Sequence, residues 1–264
     1  MIPKIIHYCW FGGKEIPEKD KKNIEGWKRL NPDYEIIRWD ESNYDIHRNK
    51  YMEEAYSVPK WGFVPDYART DIIYRYGGFY FDTDVELKKS LNELLNEKCV
   101  MGFEKNDSVN HGHGFGAEKG NPFLKELLDF YDSAHFINSD GTLNMTASPV
   151  YITKLLVNHG LLLNGKEQII DDIHVYPVDI FCPKDYLTGE INTTKRTIGI
   201  HHFNLSWMDE KDVAKMKEIG EYSKKYGLFI ARNLVDMKYA MSDGGIKQLS
   251  KVAFSKIINK ITRK

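Results

Sequence analysis

The sequence is poor in cysteine. Its three, Cys9, Cys99 and Cys182, are odd in number, far apart and without a Cys-x-x-Cys pair. That excludes a disulfide framework and a cysteine-based zinc site, and it suits a reducing compartment. No run reaches the ~18 apolar residues of a membrane span. The N-terminus has no charged region followed by a long apolar stretch, so no signal peptide is read and a cytoplasmic location is expected. A basic excess is missing too. Lys and Arg number 37 against 38 Asp and Glu, a net charge of -1, so nucleic acid is not an expected partner. There is no internal repeat, low-complexity tract or linker. What remains is a chain of 264 residues with 42% apolar content, enough for one large self-supporting domain, or a domain with a small appendage.

Strand and helix signals alternate from the start. Ile5, Ile6, Tyr8 and Trp10 form a β-rich run that ends at Phe11-Gly12-Gly13. Ile24, Trp27 and Leu30 then recur at helical spacing from Pro17 to Leu30, and Asn31-Pro32 stops the helix. Tyr34 to Trp39 is a second strand. This order points to an α/β fold with parallel strands. The spacing next predicts a helix over Val64–Tyr76, with Pro65 at a tolerated first-turn position, closed by Gly77-Gly78. Phe79–Phe81 is a strand running into Asp82-Thr83-Asp84, and Val85–Leu87 continues extended. Further strands are expected over Val100–Phe103, Gly114–Ala117, Ile169–Val175 and Thr197–His202. Helices are expected over Pro122–Tyr131, Val150–Val157 and Asp209–Tyr226, and from Leu228 onward with a break at Gly244-Gly245.

Asp82 and Asp84 carry the chemistry. Two residues apart on an extended chain, they face one side with Cα atoms roughly 6–7 Å apart. Two carboxylates aimed at one space repel unless positive charge lies between them. The functional reading is a hard divalent cation whose shell diphosphate oxygens complete; the plain reading is a solvated strand end. Upstream, Asp66 and Arg69 are three apart and share a helix face with Ile73 and Tyr76. Their plain readings are a first-turn carboxylate favoured by the helix dipole and a surface charge. Asp71 and Arg75, four apart, read as an ordinary intrahelical ion pair. His111 and His113, in a Gly-rich loop without further ligands, read as solvent-exposed.

Pro65-Asp66-Tyr67-Ala68-Arg69, followed by Arg75-Tyr76-Gly77-Gly78-Phe79-Tyr80-Phe81-Asp82-Thr83-Asp84-Val85, resembles the sugar-nucleotide-binding signature of glycosyltransferase family 32, in its bacterial capsular and surface-polysaccharide type. The opening Ile5–Gly13 is similar to the family's first strand and turn, and Ile200–Trp207 resembles its C-terminal His-His-x-x-x-Ser-Trp segment. The blocks stand in the family's order across about the first 210 residues. The resemblance implies a GT-A fold: a Rossmann-like, mostly parallel sheet flanked by helices, with a C-terminal helical appendage. It implies Mn²⁺ (or Mg²⁺) as cofactor. Trp10 would stack on the base, Asp66 would accept from ribose or sugar hydroxyls, and Arg69 would reach sugar or diphosphate. Asp82 would contact ribose or the metal indirectly, Asp84 would bind the metal, and Ser206 and Trp207 would lie against the diphosphate. Neighbours on a strand face opposite ways, so one of His201 and His202 points inward; His202 is favoured as the metal ligand and His201 as structural. Val64-Pro65, before the helical Asp, departs from the small residues or Ser common in relatives.

The implied reaction is transfer of a hexose, with anomeric retention, from a nucleoside diphosphate sugar to a glycan or lipid-linked glycan acceptor in polysaccharide biosynthesis. UDP is the nucleotide by resemblance, with GDP open. The metal and Arg69 would stabilise the departing diphosphate, and no residue stands out as a nucleophile. Two rivals remain at this point. Asp82-Thr83-Asp84-Val85 also fits the D-x-D-x-[TV] of haloacid-dehalogenase-type phosphatases, with Asp171-Asp172 as the later acidic pair. A non-catalytic sugar-nucleotide binder is the other.

The charge is uneven. Residues 1–243, expected as the transferase domain, hold 31 basic and 38 acidic groups; residues 244–264 hold six basic groups and no acid. On a helical wheel Ile246, Leu249, Ala253, Phe254, Ile257, Ile258 and Ile261 share one broad side, with lysines near its edges. That suits an interfacial helix on an anionic membrane surface, making the protein peripheral on the inner face of the cell membrane. A last helix packed on the domain, or a solvated tail, is the alternative.

Overall fold

Residues 1–205 and 208–244 are described by the computed structural model; Ser206, Trp207 and the expected tail helix over 246–264 lie outside the described residues. The first strand, β1 (Ile5–Cys9), alternates its side chains between two apolar clusters, Ile6 and Tyr8 facing one and Cys9 the other. A strand buried on both faces belongs inside a sheet. It leads through α1 (Glu18–Leu30) to β2 (Glu35–Trp39), which pairs with β1 in parallel from Ile5↔Glu35 to Cys9↔Trp39. Helices α2 (Lys50–Ser57) and α3 (Val64–Tyr76) follow. The chain then returns to the opposite side of β1 as β3 (Gly78–Tyr80), again parallel, with Ile6↔Phe79 and His7↔Tyr80 in register. Sequence neighbours thus leave β1 on both sides, which makes a topological switch point between β1 and β3.

Helix α3 has no apolar stripe. Nine of its 13 residues are buried, including Asp66, Arg69 and Asp71. Buried charges must be paired, and these are. Asp71 accepts from the Tyr44 hydroxyl at 2.8 Å and meets Arg48 at 3.1 Å and Arg75 at 3.4 Å, so the expected intrahelical pair is one side of a larger knot. At the helix end Gly78 has φ 102°, and a Cβ there would stand 2.7 Å from the Ile5 carbonyl oxygen. Glycine is what lets α3 turn directly into β3 against β1.

After β3 come β4 (Val85–Leu87), β5 (Cys99–Lys105), β6 (Ser108–Asn110) and β7 (Phe115–Ala117). Helices α4 (Pro122–Ser133) and α5 (Ser148–Asn158) precede β8 (Gln168–Ile170), β9 (Ile173–Tyr176) and the short α6 (Val178–Phe181). The main sheet is mixed, in the order β2-β1-β3-β7-β5-β9-β8 with β6 on β5. Helices α2 to α5 contribute to the cluster on one face, and α1 and α6 to that on the other. The expected single strand over Ile169–Val175 is a hairpin of β8 and β9, because Asp171 adopts φ 51° and turns the chain. Asp171 pairs there with His159 at 2.9 Å and Asp172 with Lys98 at 2.9 Å, so neither stands with Asp82 and Asp84 as the phosphatase reading required.

A second, two-stranded sheet joins β10 (Gly199–His201) antiparallel to β4, with His201 opposite Val85. The contacts divide the chain into two compact units. The first is Met1–Lys184 with Ile191–Trp207; the second holds Asp185–Glu190 and the chain from Met208 on. The second unit is built mainly of α7 (Glu210–Tyr226) and α8 (Leu228–Gly244). Within the second unit Ile219, Ala231 and Val235 form a small core with Leu187 and Tyr239, and ion pairs Lys215–Asp236 (2.9 Å) and Lys238–Glu218 (2.6 Å) tie the two helices.

Candidate functional site

The site lies where β1 and β3 end. Because the two strands are parallel and in register, Trp10 and Asp82 emerge from the same edge of the sheet, and the Phe81 N–H still donates to the His7 carbonyl at 3.2 Å. The extended geometry expected for Asp82-Thr83-Asp84 is not what forms. Asp82 opens a turn, with the Val85 N–H donating to the Asp82 carbonyl at 3.0 Å, and β4 begins only after it. The turn still brings both carboxylates to one place, and β10 adds a third group. One ligand atom each from Asp82, Asp84 and His201 lies within 4.8 Å of the others, the one such group of three found among the described residues.

This corrects the histidine assignment by one position. His201, not His202, faces the carboxylates, with Nε2 3.4 Å from Asp84 Oδ1. His202 turns to Glu86, at 3.1 Å. Strict alternation from the β10–β4 register would put His202 on the face of Asp84, but the turn takes Asp84 out of the strand and swings its carboxyl to the other side. Electrostatics agree with the geometry. Burial works against the Asp84 charge, but His201 and the Asn204 N–H outweigh it and hold the carboxyl down at about 2. Burial likewise disfavours a charged His201, yet facing Asp84 it is pushed well above the ordinary imidazole value. In Asp82 burial prevails over the pull of Arg69 and the carboxyl is raised. The proton on His201 thus balances the Asp84 charge, and a bound cation would take that proton's place, because a ligating imidazole is neutral.

Arg69 supplies part of it from α3. Its Nη2 donates to Asp66 Oδ1 at 2.9 Å, its Nη1 meets Asp82 Oδ2 at 3.4 Å, and its guanidinium lies 5.2 Å from the Tyr80 ring centroid. The Tyr80 hydroxyl in turn donates to Asp82 Oδ1 at 2.9 Å. Asp66 and Arg69 are therefore neither surface charge nor simple first-turn carboxylate; both side chains are 5% exposed and paired to each other. Burial lifts the Asp66 carboxyl to about 6 in spite of Arg69. Trp10 is half-buried, packs against the cluster that includes Ile6 and Trp27, and donates from Nε1 to the Lys14 carbonyl at 2.6 Å.

His111 and His113, expected to be solvent-exposed, lie in a buried segment over 110–114. His111 and His113 are both fully buried, and burial drives each well below the ordinary imidazole value. The reason is its place between β6 and β7, where it passes directly over the carboxylates: the Asp82 N–H donates to the Gly112 carbonyl at 2.8 Å. A Cβ on Gly112 would overlap Asp82 Oδ2 and come within 2.6 Å of Arg69 Nη1. Only a residue without a side chain fits there. The sequence assigns no role to Asp20, Tyr80, Gly112 or Asn204; of these only Tyr80, two residues before Asp82, carries a local signal.

The donor set fits a divalent cation. Two carboxylates and an imidazole suit Mn²⁺ or Mg²⁺, and the three ligand atoms lie within 4.8 Å of one another, His201 Nε2 and Asp84 Oδ1 at 3.4 Å.

Residues 17–101 match the family described as glycosyltransferase sugar-binding region containing DXD motif. The chain is 33% identical over 135 residues to inositol phosphoceramide mannosyltransferase 3 of Schizosaccharomyces pombe, covering 48% of this chain and 36% of that protein. It therefore spans about a third of the length of that relative. It is 27% identical over 203 residues to the uncharacterized glycosyltransferase L373 of Acanthamoeba polyphaga mimivirus, covering 70% of this chain and 77% of the other. Among solved structures it is similar to the PaToxG glycosyltransferase, with a TM-score of 0.49, 20% identity and coverage of 60% and 69%. The helix-flanked α/β sheet with an acidic pair behind a central strand agrees with the α/β architecture that the resemblance implied, but the sheet is mixed and its pairings are not mostly parallel, because β6, β7 and β8 pair antiparallel to their neighbours.

Proposed function

We propose that this chain, which carries a glycosyltransferase sugar-binding region, is a metal-dependent glycosyltransferase that moves a hexose, with retention, from a nucleoside diphosphate sugar to a glycan or lipid-linked acceptor in polysaccharide biosynthesis. The observation that carries it is the convergence of Asp82, Asp84 and His201 beside the buried Arg69–Asp66 pair. Asp84 and His201, with Asp82, would hold Mn²⁺ or Mg²⁺, which when bound supplies positive charge to diphosphate oxygens. Arg69 adds a fixed cation at the same place and needs no reorganisation as the diphosphate departs. Asp66 orients Arg69 and offers a carboxylate to donor hydroxyls, and Trp10 presents an aromatic face to the base. The acceptor hydroxyl bonds to the anomeric carbon on the face that the diphosphate leaves, the bond from that carbon to the diphosphate oxygen breaks, and the hydroxyl proton passes to the departing diphosphate. The name of the yeast relative, a mannosyltransferase of inositol phosphoceramide, supports a hexosyl donor and a lipid-borne acceptor.

A screen of UDP- and GDP-sugars tests the reading. We expect one donor to release its nucleoside diphosphate on addition of Mn²⁺ and to stop when EDTA is added. Phosphate release from a generic monoester, with nucleotide sugars untouched, would mean a phosphatase instead. Tight UDP binding without transfer or hydrolysis would mean a binder.

The proposal extends to place: the cytoplasmic side of the membrane, held peripherally through residues 246–264. Among the described residues no helix is long and apolar enough to cross a membrane. On α8, Ile230, Leu234, Met237 and Met241 are exposed at spacings of four, three and four, one stripe on one face, while Ala231 and Val235 do the packing. Apolar exposure of this kind marks an interaction surface, and the cations that follow match anionic head groups. The full chain is expected to sediment with phosphatidylglycerol-containing vesicles and not with pure phosphatidylcholine. Changing Lys247, Lys251, Lys256 and Lys260 to Gln should weaken binding about fivefold per lysine; undiminished binding would refute the tail's role.

A further inference from the structure

Asp20 is buried, 2% exposed, on the third residue of α1, and among the described residues it faces neutral donors only. Thr83 Oγ1 donates to its Oδ2 at 3.1 Å, and the Asn204 side-chain amide donates to both its oxygens at 3.1 and 3.2 Å. The first turn of a helix favours such a carboxylate, but a first-turn site needs no burial. Here burial joins two segments of the site. Thr83 is the middle residue of the acidic turn. Asn204 follows His201, and its backbone N–H donates to Asp84 Oδ2 at 2.7 Å.

The same face of α1 holds the turn at two further points. Asn23 Nδ2 donates to the Thr83 carbonyl at 2.9 Å and Trp27 Nε1 to the Val85 carbonyl at 2.8 Å. Asp20, Asn23 and Trp27 stand at i, i+3 and i+7, one stripe along the helix. On the other side, Asn204 sits between two residues in the left-handed region, Phe203 at φ 54° and Leu205 at φ 52°. Bulky side chains avoid that region unless surrounding contacts impose it. Lys19 Nζ also donates to Asn204 Oδ1, so neighbouring residues of α1 grip both ends of the amide.

We infer that Asp20 is a positioning residue for the cation site, acting through Thr83 and Asn204 on the direction of the Asp84 carboxylate. The Asn204 N–H occupies Oδ2 and leaves Oδ1 to face His201 and the space between the three ligands. Without Asp20 the strained Asn204 segment keeps only the Lys19 contact on its side chain, and Asp84 can rotate away from the cation. Groups that orient metal ligands in this way usually affect metal affinity about 10–100-fold.

This inference rests on the reading of Asp84 as a metal ligand, and the test separates the two. Mn²⁺ binding is measured directly, by the loss of free-ion electron paramagnetic resonance signal, in the full-length wild type, Asp20→Ala, Asn204→Ala and the double variant. Asn204→Ala keeps the backbone donor and removes only the tether. Each single variant should raise the Mn²⁺ dissociation constant about 10–100-fold. The double should be no weaker than the worse single, since both cut one link. Thr83→Ser, which keeps the hydroxyl, should bind as wild type. Variants that melt earlier yet bind Mn²⁺ as wild type, or losses that add in full, would overturn the positioning role. Absence of Mn²⁺ binding in the wild type overturns the metal reading along with it.

Discussion

Asp84→Asn is expected to lower Mn²⁺-dependent turnover of a nucleotide sugar by about 10²–10³-fold in kcat/KM and to leave the fold standing. The substitution keeps the volume and the oxygen that accepts from the Asn204 N–H, so the turn has no cause to rearrange. What it removes is the carboxylate that the protein holds below the ordinary range, down at about 2. His201 then loses the partner that keeps it charged and can lose its proton, which avoids an unpaired buried cation. Kinetics with the accepted donor and a thermal melt check both halves. Wild-type turnover by this variant would remove Asp84 from the mechanism.

The largest effect on stability should come from Arg69→Met. Arg69 is the one cation between two carboxylates, and it and Asp66 are both 5% exposed at the side chain. Removing one partner of a buried ion pair usually costs about 3–5 kcal/mol, because the other charge is left uncompensated. For a chain of this size that is about 10 °C in melting temperature. Adding Asp66→Asn should recover part of the loss, a coupling that a double-mutant cycle measures.

The pH dependence has a definite sign. The Asp66 carboxyl stands at about 6 in the folded chain against an ordinary 3.8. The folded state thus holds more protons than the unfolded one between those values, and this group's contribution to stability falls as pH rises through them. Without Arg69 the carboxyl moves higher still, so the deficit of Arg69→Met relative to wild type should shrink as pH is lowered from 7 towards 5. Melts of both proteins across that range check it; a deficit that grows on acidification would mean that Asp66 is not the uncompensated group.

Much of this was legible in the chain. The helix expected over Val64–Tyr76 forms over those residues, and Asp66 and Arg69 meet as their spacing of three requires. Phe79-Tyr80 forms a central strand and delivers Asp82 to its C-terminal edge. Less legible was anything decided by a distant segment. Nothing near Ile46–Ser57 carries a period clear enough to announce the helices there, which owe their place to packing of Tyr51, Met52 and Ala55 into the core. His111 and His113 lie in glycine-rich sequence of loop character, and it is the pairing of β6 and β7 with other strands that draws them inside.

The sequence by itself determined the α/β order, the acidic pair behind a central strand and the Asp66–Arg69 face. Periods of 3.6 and 2 act over a few residues, and any fold must honour them. The tertiary structure alone decided that His201 and not His202 meets the carboxylates. It also decided that Gly112 must be bare, and that Asp20 reaches Asn204 across 184 residues of chain. Each of these depends on a strand register or a turn that brings remote segments together. Such contacts leave no mark on the spacing of the residues that make them.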